Sequence, residues 1–491
     1  MSVLAAGVPN VPVDESDRDL FSRLFSTWEQ KRVRNLLRTV YYEGKNALKD
    51  FGIAVPPQMQ SAYTPLQWIA KGVNAVTGRS EFQGFVSPSG DDDPFGMAGI
   101  LADNHFHEEF PQATKSSAIH ACSFVTVTEG DVQSGEPEVL YLARAADMSA
   151  AVWDRRRRAL AGFLSIVDTD GQGPTEMVMY TPFWVYSLVK RSNFWSGSKI
   201  RNRLNEVTVA RLAFEPELNR PFGSSRITRT AMGLTDAAVR TLLRAEVSAE
   251  FYSADKYWLF GADVTKFIGD DKWSALMGRM NAIDVDTVAG DKVEVQRFTG
   301  ASPQPHSDQM RLIQAMFAED QDLDVKFADA SNPSSADAIY AAKEDLIVKV
   351  RTANRIWGYG AVKAFQLGVR LRDGGEMSDE LRAMSAQFTD PAIVSPSARA
   401  DAFSKLSTSI PGFGNSTVGM KYAGLPLEDI TQFKAEQTRT GAADRLTLLA
   451  EAARGLRDGN GGAGGGVSAG KSGSDGSGAG AATGLPEQLP S

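Results

Sequence analysis

RPFGSSRITRTAMGLTDAAVRTLLRAEVSAEFYSADKYWLFGAD, residues 220–263, is the stretch from which the architecture of this chain can be read. It divides into a capped start, one long helix and a turn into a strand. After Gly223, the hydroxyls of Ser224 and Ser225 can accept hydrogen bonds from the first free backbone amides of a helix. From Arg226 to Ala254 there is no proline and a single glycine, Gly233. Ile227, Leu234, Ala238, Leu242, Ala245, Ala249 and Tyr252 recur at the steps of one helix face. At about 1.5 Å per residue such a helix runs roughly 40 Å, well beyond the usual three or four turns. A helix of that length either crosses a large domain or stands in a ring or bundle of others. On periodicity alone, a long core helix in an ordinary α/β protein fits as well.

Outward from this stretch the chain alternates between helical and β-rich blocks. Residues 17–50 read as a helix, with Leu20, Leu24, Trp28, Val33, Leu36, Leu37, Val40 and Tyr41 as its apolar stripe, ended by Pro56-Pro57. Residues 64–79 read as a second helix with Pro65 in its first turn, and residues 96–110 as a third. From about Ser117 to Ala213, short β-branched and aromatic runs such as FVTVTEG, PEVLYLARA, LAGFLSIVD and EVTVARLAF predict strands. After the long helix, WLFGAD and DKVEVQRFTG read as short strands around a helical piece near Trp273–Met280. His306–Glu319 is a short helix with Met310, Ile313, Met316 and Phe317 on one face. Asp320–Pro333 is a polar loop, and a second very long helix runs from Ser334 to Leu371, with Gly358 and Gly360 inviting a kink. Residues 378–455 read as helical. Beyond about Gly455 the chain is Gly, Ser and Ala with few large apolar residues, a composition that cannot build a core and predicts disorder.

Composition narrows the function classes. The 491 residues suffice for a large core and more than one structural unit. One cysteine, Cys122, excludes an internal disulfide framework and a cysteine-rich zinc site; its strand-like setting predicts a small buried hydrophobe. No apolar run reaches the roughly 20 residues of a membrane span, and the N-terminus lacks the order of a secretion signal. The chain is therefore expected to be made in the cytosol. The net charge is −8, whereas a protein that grips DNA tightly presents a basic surface. Either nucleic acid is no partner, or DNA slides past an acidic wall with no electrostatic well to stall it.

Catalytic signals are missing. His105, His107, Glu108, Glu109 and His120 suggest a metal site at first sight, but histidines two apart do not share a helix face. Asp91-Asp92-Asp93 and the aspartates of the 320–333 loop read as solvated loop charge. There is no Walker A sequence and no G-x-S-x-G, and GGAGGG lies in the low-complexity tail. Arg155-Arg156-Arg157-Arg158 reads as an exposed hairpin turn. No catalytic residue, metal or cofactor is expected.

A resemblance accounts for the rest. RPFGSSRI, DAAVRTLLRAEVSAEFY and WLFGAD resemble the central helix of portal proteins from tailed bacteriophages, in particular the SPP1-portal-like type found in phages of actinobacteria. NLLRTVYYEGKNALKDFGIAVPPQM with PLQWIAKGVNAVTGRSEFQGF, then SNPSSADAIYAAKEDLIVKV, and finally SPSARADAFSKLSTSIPGFGNSTVGMKYAGLPLEDI resemble further parts of that family. They fall in the same order between about Asn35 and Ile430. The sequence departs from the family at Asp255-Lys256, where a proline commonly follows the FYSA-like segment.

The resemblance implies an α+β portal fold with a helical and β-rich wing over residues 1–225, a stem helix over 226–254, a small α/β clip over 255–305 and a second stem helix over 306–319. A tunnel loop over 320–335, a long kinked tunnel and wing helix over 336–377, a helical crown over 378–455 and the disordered tail 456–491 complete it. It further implies a homo-oligomeric ring, twelve subunits by family analogy, at one capsid vertex of the virion. The terminase large subunit would dock on the clip, with major capsid, scaffolding and head-completion or adaptor proteins as further partners. Double-stranded DNA would pass through without sequence recognition. Tunnel-loop candidates are Asp320, Asp322, Asp324, Lys326, Asp329 and Asn332. Candidate subunit contacts on the stem are Ile227, Leu234, Arg240, Leu242, Arg244, Ala245, Glu246 and Glu250. Arg240 and Arg244 repel each other at a four-residue spacing, so their partners would be Glu246 or Glu250 of a neighbouring subunit, favoured because it suits a ring of packed helices, or else DNA. Two alternatives stay open at this level: another phage head or adaptor protein, and a soluble α+β enzyme.

Overall fold

The structure, a computed structural model, describes residues 7–46, 65–89, 93–192, 194–252, 256–260, 280–283, 294–298, 302–323, 343–392, 396–425, 429–440 and 442. From the N-terminus, α1 (Glu15–Tyr42) and α2 (Trp68–Thr77) lead to strand β1 (Phe82–Val86) and helices α3 (Met97–Asp103) and α4 (Phe106–His120). A run of strands follows: β2 (Cys122–Glu129), β3 (Val139–Ala145), β4 (Ser149–Asp154), β5 (Ala159–Asp170), β6 (Gly173–Tyr180), β7 (Trp184–Arg191), β8 (Phe194–Arg201) and β9 (Val209–Ala213). Then come α5 (Arg229–Tyr252), the short strands β10 (Lys256–Phe260), β11 (Met280–Ile283) and β12 (Glu294–Phe298), and the helices α6 (Gln304–Asp320) and α7 (Glu344–Asp373). Helix α8 (Asp379–Ala383) and strand β13 (Ser385–Phe388) close the larger of two compact units, which ends at Ile393. The smaller unit holds α9 (Pro396–Ser409), α10 (Thr417–Ala423) and a helix over 429–440. The mixed α+β class expected from the sequence is what the chain adopts.

The larger unit is built in layers by period-two alternation. In the five-stranded antiparallel sheet β4-β5-β6-β7-β8, Ala150, Leu164, Ile166, Met177, Met179, Tyr186 and Leu188 face the Phe21, Leu24, Phe25 and Trp28 side of α1. Their neighbours Ala151, Phe163 and Tyr180 point the other way, onto Phe124 and Val209 of the three-stranded sheet β3-β2-β9. The opposite face of that second sheet, with Val125, Val127, Tyr141, Ala210 and Leu212, joins α4 and α7 in the main core. Because β2 is buried on both faces, it reads as a continuous apolar and hydroxyl run, not an alternating one.

Helix α7 is continuous across Gly358 and Gly360. These glycines allow close approach: a Cβ at Gly360 would stand 2.5 Å from the Arg211 carbonyl oxygen, and one at Gly358 would press on Phe388. Trp357, fully buried, donates its indole N–H to the Ser117 hydroxyl at 2.7 Å.

Several expectations need correction. The helix predicted over 96–110 is two helices, because the chain turns at Asn104 and at His105, whose φ is 47°. The β-rich block therefore begins at Cys122, since Ser117–His120 end α4. Strands β4 and β8 were not legible. The range 378–455 is not wholly helical: β13 pairs with β1 across the chain, so residues up to Ile393 belong to the larger unit. The turn at Arg155–Arg158 is exposed, as expected. The helical piece near 273–280 and the tail 456–491 lie outside the described residues, apart from Met280, which opens β11.

Candidate assembly site: the paired helices and their anchor

The long helix starts three residues later than its sequence suggests, and the reason lies in its surroundings. The Ser224 amide bonds the Phe214 carbonyl and the Arg226 amide bonds the Ala118 carbonyl, which holds the lead-in against β9 and α4. Ser225 donates its hydroxyl to Ile119 and accepts from the Ile227 amide at 3.0 Å. Thr228 is therefore the cap, accepting from the Ala231 amide at 2.9 Å.

Helix α6 returns along α5, so that the end of α6 meets the start of α5. There Arg226, 3% exposed, forms an ion pair of 2.7 Å with Asp322 and also donates to the Gln321 carbonyl. Lys349 of α7 reaches the same Asp322 oxygen at 2.6 Å and Glu215 at 3.6 Å. Asp320 accepts from the Thr228 hydroxyl at 2.9 Å and from the side-chain Nε2 of Gln321 at 2.7 Å. On the other side, Tyr41 and Asn46 donate to Asp236 of α5 at 2.7 and 3.0 Å. Burial pushes the Asp322 carboxyl up, but the hydrogen bonds from Lys349 and Arg226 outweigh it and hold the group below its ordinary range. Three helices are thus locked together at one charged joint.

Away from the joint, burial falls along α5. Ala231, Thr235, Ala238, Val239 and Thr241 are buried, Leu242 and Ala245 half-buried, and Arg244, Glu246 and Ala249 exposed. On α6, Ile313 and Phe317 pack inward, whereas Leu312 and Met316, one turn apart, are 62% and 48% exposed. The far end of the pair carries the three-stranded sheet β11-β10-β12, with β10 parallel to β11 and antiparallel to β12.

These positions sort the expected site residues. Ile227 is buried in the chain's own core and Leu234 packs against it, so Ile227 is not open to another subunit. Leu242, Arg244, Ala245 and Glu246 lie where the helix leaves the core; Arg240 is half-buried. The side chain of Glu250 lies outside the described residues. Asp320 ends α6 and Asp322 is clamped by two cations, so neither is a freely placed loop charge. Asp324, Lys326, Asp329 and Asn332 fall outside the described residues. Arg226 and Lys349 were missed: a cation at a helix start carries no pattern until its carboxylate, nearly a hundred positions on, is brought to it. No cluster of His, Cys, Asp and Glu among the described residues could hold a metal, and none of their helices is long and apolar enough to cross a membrane.

The chain is thus a layered α+β body from which a clamped helix pair leads to a small sheet. Residues 22–412 match the family described as phage portal protein, SPP1 Gp6-like, and the chain belongs to that family. It is 25% identical over 396 residues to a portal protein of Mycobacterium phage D29, covering 78% of this chain and 81% of the relative. It is also 22% identical over 454 residues to a portal protein of Mycobacterium phage L5, covering 89% and 92%.

Proposed function

We propose that copies of this chain close into a ring at one capsid vertex and that the ring is the channel for DNA. Packaging by a terminase docked on the 256–298 sheet, retention of the genome and its release through the tail would all use that channel. The protein's work is then mechanical, and no side chain need perform chemistry.

The observation that carries this reading is the α5–α6 pair. One end is fixed by the buried Arg226–Asp322 pair, the other carries the β10–β12 sheet, and Leu312 and Met316 stand exposed between them. Exposed apolar rows on an otherwise packed helix pair favour burial by another molecule. Head-to-tail contacts, which join two different faces, close rings. An overall acidic chain suits passage of DNA without a deep electrostatic trap.

Negative-stain microscopy of the purified full chain provides the test. The expected result is a population of rings with a central hole. A monodisperse monomer that also fails to assemble with capsid and scaffolding proteins would sink the proposal.

A further inference from the structure

In the second half of α1, Val33, Leu36 and Leu37 of its apolar stripe stand exposed among the described residues. Val33 and Leu37 are 56% and 45% exposed, and they floor an open groove of about 800 Å³ between α1 and the lead-in to α5. Arg34, Arg38, Arg220 and Arg229 line the same groove, and none of the described lining residues is a carboxylate. Arg38 donates to the His120 carbonyl, and burial, aided by the neighbouring Arg34, pulls its guanidinium down to about 10, still charged at neutral pH. These cations, of which Arg220 also lies 4.0 Å from Glu217, surround an apolar floor on a chain of net charge −8 and suit an acidic partner with an apolar tip.

The same chain presents one. The end of β2 and the loop to β3 carry Glu129, Asp131, Glu136 and Glu138, all exposed, Glu129 also pairing with Arg203 at 3.2 Å, with Val132 65% exposed at the loop tip. It is held rigid from within: the Asp131 amide donates to Glu136 at 2.8 Å, Asp131 accepts from the Gln133 amide at 3.1 Å, and the Gly130 amide donates to the Glu138 carbonyl at 3.1 Å. Little ordering is left to be lost on binding. Ala121 lines the groove and Glu129 begins the loop, so the two surfaces lie at opposite ends of β2. At about 3.3 Å per residue they stand roughly 25 Å apart, too far for one chain to close on itself.

We infer that the 129–138 loop of one copy docks in the arginine groove of the next, Val132 against Val33 and Leu37, making a head-to-tail contact between wings. The inference rests on the ring reading and names the contact that sets neighbour order. Such a pairing is heterologous, as ring closure requires, and complementary charge fixes its register.

Charge exchange in the full-length chain tests it, because every interface of a homo-ring contains both surfaces. Arg34→Glu with Arg229→Glu is expected to lose rings, as is Glu129→Lys with Glu138→Lys, each leaving a folded monomer by circular dichroism. All four substitutions in one chain are expected to restore rings. As a second readout, Leu37→Cys with Val132→Cys should give a ladder of disulfide-linked oligomers under mild oxidation, absent from either single variant. Rings that persist in both charge-reversed variants, or no rescue in the fourfold variant together with no ladder, would overturn the pairing. Intact rings that lose only DNA retention in the groove variant would overturn it too, in favour of nucleic acid as occupant. Rings from the unmodified chain are the reference. Their presence alongside any of these failures leaves the portal reading standing; their absence removes both.

Discussion

Arg226 is the residue on which the helix pair depends. A guanidinium this buried is tolerable only because Asp322 and the Gln321 carbonyl receive it. Removing one partner of such a pair strands the other, so Arg226→Ala should lower unfolding stability by about 3–5 kcal/mol, read from the shift in denaturant midpoint. The pH dependence follows from Asp322, whose folded carboxyl titrates below its unfolded value. Its contribution is present above the unfolded pKa of 3.8 and is lost as pH falls through the depressed folded value. Denaturation followed from about pH 7 to about pH 3 should therefore show a shallower acid loss in Asp322→Asn, from a lower starting stability. Cys122 behaves as its sequence setting suggested. It is buried, and burial pushes its thiol up to about 12. A thiol reagent at neutral pH should label it only after denaturation; rapid labelling of the native protein would mean that β2 is accessible.

Helices and strands divide by how local their causes are. The inward half of the α5 stripe, Ile313 and Phe317 on α6, and the short strands of the β-rich block were legible because hydrophobic period reports one-sided burial, whereas Met316 and Ala249 of the same stripes are exposed. Strand β8 was not, because FWSGSKIR is largely exposed and has no buried face to signal. Strand β13 was hidden for a different reason: SAQF owes its extended form to pairing with β1, about three hundred positions away. Glycines in α7 mislead in the same manner, since a kink and a close approach leave one sequence signature. Gly360→Ala places a methyl against the Arg211 carbonyl, and overpacking of this kind should cost about 1–3 kcal/mol in thermal or chemical unfolding. On the stem, Leu242→Asp with Ala245→Asp should abolish rings while leaving monomer stability nearly unchanged, because both side chains are only half-buried. Intact rings in micrographs of that variant would move the subunit contact elsewhere, with Leu312 and Met316 the next candidates.

Among the described residues the apolar core falls into three clusters, and their boundary shows what holds them. All three described apolar clusters fall within the unit that ends at Ile393. A fragment ending at Ile393 should therefore fold by itself and melt cooperatively; a fragment without a cooperative transition would mean that the smaller unit completes the core. Glu206 ties the β-rich block to α7, accepting from Lys363 at 2.7 Å and from Arg370. That is why the long helix and the sheets belong to one body although some 130 residues, those between Ala213 and Glu344, separate β9 from α7.

By itself the sequence determined the α+β class, the order of the blocks, the two long helices and the family. All of these depend on hydrophobic period and on motif order, which act over short windows. The tertiary structure alone decided where α5 begins, that Ile227 faces inward, that Asp320 and Asp322 belong to a joint and not to open loop, and that four arginines share one groove. Each of these depends on which distant groups meet, since a hydrogen bond or ion pair is satisfied by proximity in space, and no local pattern encodes the partner.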